Sequence, residues 1–294
     1  MNKSALFAAL LVALPITSAI AADLPSKKEA ITAPVAMPVW TGVYAGLNAG
    51  GAWGNYNSTN TSIWPTKNLS GYWDTSSLLA GGLATGGAAG FIGGGQVGYN
   101  RQYNLAGYSL LAGVEADIQG IASNKGSGQN PMSAVVLTFS GHNNFTTYSN
   151  TASNNYLSYI GTARGRVGFL ATPALLLYGT GGLAYGQANL SLNQFQQFGI
   201  AVGWSNSTTS TTQLGWTAGG GIEWMFAPSW SIKAEYLYYD LGKQSTQNQF
   251  VAYSPSGAQW TYGSYSSRQF NGNVARAGIN YHLSFANAPL LAKF

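Results

Sequence analysis

Hydrophobic and polar residues alternate along most of the chain from Val39 onward. A two-residue period is typical of a β-strand with one apolar face, and about ten residues of it suffice for a strand that crosses an outer membrane. The alternation predicts eight strands, at about 39–53, 87–101, 107–119, 156–170, 174–188, 213–226, 230–241 and 271–285.

The connections between these predicted strands alternate between long and short. The short ones are 103–106, 172–173 and 227–229, and the long ones, rich in Asn, Ser, Thr and Gly, are about 54–86, 120–155, 189–212 and 242–270. Outer-membrane barrels have short periplasmic turns and long external loops, whereas a soluble β-sandwich, the other class with many short strands, needs no such alternation. The sequence therefore predicts an all-β fold, a transmembrane up-and-down antiparallel β-barrel of about eight strands, with both termini on the short-turn side.

The first 38 residues do not alternate. Lys3, the apolar run Leu6–Ala13 and the small residues Ala19 and Ala21 predict a cleaved signal peptide, with an uncleaved anchoring helix as the alternative. The prolines that follow favour an extended segment. The expected boundaries are 1–21 for the signal peptide, 22–38 for a Pro-containing periplasmic linker, 39–285 for the barrel and 286–294 for a C-terminal tail.

The composition supports a membrane wall. Charged residues make up 7% of the chain, against ~25% in an ordinary soluble domain, while hydrophobic residues make up 46%, which argues against disorder. The chain has no cysteine, so disulfides and zinc–cysteine sites are excluded. The net charge of +5 is scattered, so no nucleic-acid partner is expected, although it favours contact with anionic lipid or lipopolysaccharide.

Most charged residues of the predicted strands fall on the polar face. They comprise four acids and four bases: Glu115, Asp117, Arg164, Arg166, Glu223, Lys233, Glu235 and Arg276. Eight strands enclose an interior just wide enough for side chains to fill, and unpaired buried charges are costly. We therefore expect a hydrogen-bonded lumenal charge network that plugs the barrel; the alternative is a selective pore lining or a proton path.

Aromatic residues lie near the ends of the predicted strands, where membrane barrels carry interfacial girdles. The predicted girdle includes Trp40, Trp53, Tyr99, Trp216, Trp230 and Phe285.

Other motifs predict no catalytic, cofactor or metal site. The string Gly93–Gly98 matches GxGxxG, but strand alternation continues through it, whereas a dinucleotide site needs a helix there. His142 and His282 are the only histidines, so metal motifs with paired histidines such as HExxH are absent. No nucleophile elbow accompanies either of them.

Three stretches carry a family resemblance: WTGVYAGLNAG at Trp40–Gly50, KAEYLYYDLG at Lys233–Gly242 and RAGINY at Arg276–Tyr281. They resemble strands of small Gram-negative outer-membrane barrels of the immunogenic or opacity type. The resemblance implies an integral protein of the bacterial outer membrane, inserted by the barrel-assembly machinery. One departure is that such proteins usually end on the aromatic residue that closes the last strand, whereas nine residues follow Phe285 here, the last of them a second aromatic residue, Phe294.

The resemblance does not imply one activity, because members are described as structural, porin-like, adhesive or haem-binding. Our leading hypothesis is a surface protein with a structural or surface-interaction role through four long external loops, whose ligand would be a host or environmental molecule. The alternatives are a narrow porin-like channel for small solutes or ions, and an outer-membrane enzyme that modifies lipid or peptide. The oligomeric state stays open.

Overall fold

The computed structural model describes residues 40–55, 58–65, 82–85, 88–105, 107–124, 126–136, 145–198, 201–253 and 259–283. The predicted signal peptide, linker and C-terminal tail lie outside these residues, as does His142. In the part of the chain that is described, no helix is long and apolar enough to cross a membrane.

The described residues form one antiparallel sheet. Its strands are β1 (Gly42–Gly54), β2 (Ser58–Pro65), β3 (Gly82–Thr85), β4 (Ala89–Leu105), β5 (Tyr108–Asn124), β6 (Gly126–Val136), β7 (Phe145–Thr172), β8 (Leu175–Phe198), β9 (Ala201–Ala227), β10 (Trp230–Tyr253) and β11 (Gln259–Leu283).

Eight of these strands close into a ring, which confirms the predicted barrel. Neighbours follow the chain in the order β1, β4, β5, β7, β8, β9, β10 and β11, and β11 returns to pair with β1 from Val43↔Leu283 to Gly54↔Gly272. Closure removes the free edges that a flat sheet would expose. Short turns join β4 to β5, β7 to β8 and β9 to β10, and Gly107 in the first of them has a φ of +84°, which glycine adopts without strain.

Side chains alternate between the two faces of the wall. In β1, Tyr44 and Asn48 point inward and are buried, whereas Leu47 points outward and is 68% exposed. The same alternation continues around the ring, so that Val114, Val167 and Leu214 lie on the outer surface. An apolar outer face is what a barrel in lipid requires.

The prediction of four long loops was largely wrong, because the strands continue into them. The ladder of β8 and β9 runs without a break through the expected loop 189–212, from Asn189↔Ser210 to Phe198↔Ala201. β10 likewise reaches Tyr253, and β11 begins at Gln259, inside the expected loop 242–270. The alternation with an apolar outer face ends there because most outward residues become polar, and farther along β8 the inward residues Gln194 and Gln196 are polar as well. Backbone pairing continues because it needs no apolar side chain.

The three remaining strands prolong the ring. β6 pairs with β7 from Gly126↔Asn155 to Val136↔Phe145, and β2 pairs with β11 and with β3. These strands lie in the expected loops 54–86 and 120–155, which are therefore also partly strand.

The wall is much taller than a membrane. β8 has 24 residues, about 80 Å along the strand at ~3.3 Å per residue. At a tilt of ~40° this gives roughly 60 Å of height, about twice the ~30 Å of the hydrocarbon core. We call the part of the ring farther from the short turns than Tyr159 in β7, Gln187 in β8 and Gln213 in β9, together with the same end of β10 and β11, the wall extension.

The lumen is filled in layers. At the short-turn end lies an apolar cluster of Trp40, Leu111, Leu176, Tyr178 and Met225. A second apolar cluster, which includes Ile92, Leu190, Leu237, Leu241 and Val274, lies toward the wall extension. The eight charged residues predicted for the lumen lie between the two clusters, whereas the buried Arg268 lies toward the wall extension.

Candidate functional site

All eight charged residues predicted for the lumen are buried, with at most 5% of each exposed. They come from β5, β7, β9, β10 and β11. Strand register brings them together: Glu115 lies opposite Arg164, and Glu235 lies opposite Arg276. The next inward-pointing side chain of each strand is two residues away, so three of these strands supply two charges each and the other two supply one.

Arg164 lies at the centre of this charge network. Its Nη2 donates to Glu115 Oε1 at 2.5 Å and to Asp117 Oδ2 at 3.0 Å, and its Nη1 donates to Glu235 Oε1 at 2.9 Å. Arg276 Nη2 donates to Asp117 Oδ2 at 2.8 Å and also to Glu235. Each guanidinium thus joins carboxylates from different strands.

Lys233 and Arg166 complete the network. Lys233 Nζ donates to both carboxylate oxygens of Glu115, at 2.7 and 2.9 Å. Arg166 Nη2 donates to Glu223 Oε2 at 2.6 Å, and its guanidinium lies 4.4 Å from the ring centroid of Tyr178. Four acids and four bases balance, as buried charges must if their desolvation is to be offset.

Two tyrosines belong to the network although sequence reasoning did not include them. Tyr44 Oη donates to Glu115 Oε2 at 2.6 Å and accepts from Arg166 Nη1 at 3.0 Å. Tyr178 Oη donates to Glu235 Oε1 at 3.1 Å. In the sequence, both tyrosines fall on the inward-facing positions of their strands. That position alone does not indicate that a tyrosine has a charged partner.

Amide side chains extend the network to β4. Asn280 Nδ2 donates to Glu223 Oε1 at 2.7 Å, and Gln96 of β4 donates to Asn280 Oδ1 at 2.5 Å. With Tyr44 on β1 and Tyr178 on β8, all eight strands of the ring now contribute a side chain to one connected set of hydrogen bonds.

Of the two histidines, His282 is the one that the structure describes. Its surroundings do not form a catalytic triad. Its Nε2 lies 2.9 Å from Ser231 Oγ, and that hydroxyl donates to Glu223 Oε1 at 2.6 Å. In a triad the carboxylate orients the other ring nitrogen, Nδ1, whereas Glu223 is 3.5 Å from the same Nε2. Ser231 and Glu223 are also fully buried, so no substrate reaches the hydroxyl.

No metal site accompanies these residues: within the described ranges, no three His, Cys, Asp or Glu side chains are grouped as ligands.

Four members of the predicted aromatic girdle point outward, with exposed fractions of 40–51%: Trp53, Tyr99, Trp216 and Trp230. Trp40 was wrongly assigned to the girdle, because it is fully buried. It precedes β1 and turns its indole across the end of the lumen, where Nε1–H donates to the carbonyl of Pro173 at 2.9 Å and the ring packs edge-on to His282. Phe285 lies outside the described residues.

The sequence comparison decides the family. Residues 9–281 match the family model described as "Outer membrane protein beta-barrel domain". The chain belongs to this family. It is therefore a protein of the bacterial outer membrane.

Relatives of this outer-membrane barrel carry names of outer-membrane proteins. It is 33% identical over 285 residues to the 31 kDa outer-membrane immunogenic protein of Brucella melitensis, a match that covers 95% of this chain and 99% of that protein. It is 30% identical over 149 residues to the 22 kDa outer membrane protein of Rhizobium leguminosarum, covering 50% and 52%. Among solved structures it is similar to the outer membrane protein OprG from Pseudomonas aeruginosa, with 11% identity, 84% and 99% coverage and a TM-score of 0.39.

Proposed function

We propose that this outer-membrane barrel is a structural, surface-display protein with a closed lumen and no catalytic activity. The charge network is the observation that supports it: a hydrogen-bonded set of side chains, drawn from all eight strands, lies across the interior. The surface role is supported by the height of the wall extension, which holds the outer half of each long strand beyond the membrane.

A water path would have to cross three filled layers. Leu176 and Trp40 are fully buried in the layer at the short-turn end, Arg166 and Glu223 in the charged layer, and Ile92 in the third layer. Opening the middle layer would separate buried ion pairs, and each such break costs about 3–5 kcal/mol. This cost argues against the narrow porin-like channel that the sequence leaves open.

Planar-bilayer conductance of the purified, refolded barrel tests the proposal. We expect no discrete current steps from the unaltered chain. The double variant R166A/E223A removes one acid and one base, so that the lumen keeps its charge balance but loses volume, and we expect it to conduct more than the unaltered chain. The matched control is R101A, at an exposed position near the short-turn end. Discrete, ohmic steps from the unaltered chain would establish the channel instead.

A further inference from the structure

The outward face of β7, β8 and β9 in the wall extension forms a regular grid. It consists of the outward-pointing residues of Tyr148–Tyr156, Asn189–Gln197 and Val202–Ser210. Register aligns them in rows across the three strands, so that Tyr156, Asn189 and Ser210 form one row and Asn150, Phe195 and Trp204 another. We call this surface the uncharged grid.

The uncharged grid has a distinctive chemistry. Its three segments contain no Asp, Glu, Lys, Arg or His, although β10, the next strand of the ring, carries the exposed Lys243. Its polar groups are amides and hydroxyls, which both donate and accept hydrogen bonds. Such a surface has nothing with which to attract a phosphate, an acidic peptide or a nucleic acid, since those ligands depend on positive charge.

Hydrogen bonds between neighbouring strands hold these polar side chains in place. Asn189 Nδ2 donates to Ser158 Oγ at 2.9 Å, and Ser210 Oγ donates to Asn189 Oδ1 at 2.8 Å. One row further out, the hydroxyls of Ser191 and Thr208 are 3.2 Å apart. A surface ordered in this way loses little side-chain entropy when it binds a ligand.

Aromatic rings lie at the outer end of the grid. Trp204 is 60% exposed and Tyr148 is 38% exposed, and the rings of Tyr148 and Phe195 pack with centroids 5.9 Å apart. Exposed aromatic rings of this kind offer a flat apolar face beside polar groups, which is how Tyr and Trp act at interfaces. A sugar ring has the matching surface, because its C–H groups form an apolar face and its hydroxyls project from the rim.

The position of the grid indicates the source of the sugar. Ser210, in the row nearest the membrane, is six residues along β9 from Trp216 of the aromatic girdle, about 20 Å along the strand. The grid therefore begins where the saccharide of the outer leaflet stands beside the protein. We propose that the uncharged grid binds uncharged saccharide chains of the lipopolysaccharide in its own outer leaflet. This inference builds on the surface role proposed above, but it does not depend on whether the lumen is closed.

Titration calorimetry with the refolded barrel in detergent tests the grid. The probe is a charge-free polysaccharide chain released from smooth lipopolysaccharide and freed of lipid. We expect binding that survives high salt. Trp204→Ala should weaken it by at least about tenfold, a loss typical of an aromatic side chain that the ligand covers. Asn193→Asp, which adds a charge at nearly constant shape, should weaken it as well.

Tyr265→Ala is the matched control, because Tyr265 is an exposed aromatic residue of the extension on β11, outside the grid. Heat-dependent gel migration verifies that each variant is folded. Equal binding by the unaltered chain, Trp204→Ala and Tyr265→Ala would overturn the proposal. So would a preference for a sulfated glycan that high salt abolishes, or equal binding of dextran. Each of these results leaves the conductance experiment unaffected, so the two proposals can fail separately.

Discussion

The phenol ring of Tyr44 lies directly on the backbone of Gly98, its partner across the β1–β4 ladder. A Cβ atom at position 98 would overlap the phenol oxygen. The absent side chain leaves the tyrosine room to reach Glu115 on β5, so a glycine in one strand positions a hydrogen bond between two others.

Gly98→Ala should therefore destabilise the barrel, because the methyl group displaces the Tyr44 ring and its hydroxyl loses Glu115. We expect the free energy of unfolding to fall by about 1–3 kcal/mol, the usual cost of overpacking, in urea titrations of the barrel in lipid vesicles. Gly120→Ala is the control, because a Cβ there would meet nothing within 4 Å. Similar losses in both variants would mean that the effect is that of any alanine in the wall, and not of the Tyr44 contact.

Glu223→Ala should lower the free energy of unfolding more than Gly98→Ala does, because it leaves the buried guanidinium of Arg166 without its 2.6 Å partner. Removal of one member of a buried ion pair typically costs about 3–5 kcal/mol. The same urea titration measures it, with Lys243→Ala, at an exposed position of β10, as the control. The double variant R166M/E223L, which removes both charges and keeps much of the volume, should recover a large part of the loss. A double variant as unstable as Glu223→Ala would show that the charges themselves, and not their mutual compensation, are needed.

The orientation of the barrel can be tested with an epitope tag. The sequence predicts that the short turns face the periplasm, so a tag inserted between Tyr253 and Gln259, which end β10 and begin β11, should bind antibody on intact cells. A tag between Ala227 and Trp230, at the turn from β9 to β10, should bind only after the outer membrane is permeabilised. The reverse pattern would mean that the wall extension points into the periplasm, and the uncharged grid would then face no lipopolysaccharide.

Much of the ring could be read from the alternation alone. Leu47 and Val114 on one face, and Asn48 and Glu115 on the other, follow directly from the fact that successive side chains of a strand point to opposite faces. The same rule placed all eight lumenal charges inside. It failed in the wall extension, at residues such as Asn193 and Asn206, because the polar outward residues there do not contrast with inward residues such as Gln194, which are polar too.

Local sequence by itself determined which residues of the predicted strands point inward, how many strands close the ring and where its short turns lie, because these depend on a two-residue period and on turn residues. It did not determine which charge meets which. That Arg166 binds Glu223, that Trp40 caps the lumen instead of joining the girdle, and that Trp204 lines up with Phe195 were decided by the tertiary structure. The physical reason is that these contacts join strands through the register of the closed sheet, and a shift of register by two residues keeps every side chain on its face while changing all of its neighbours.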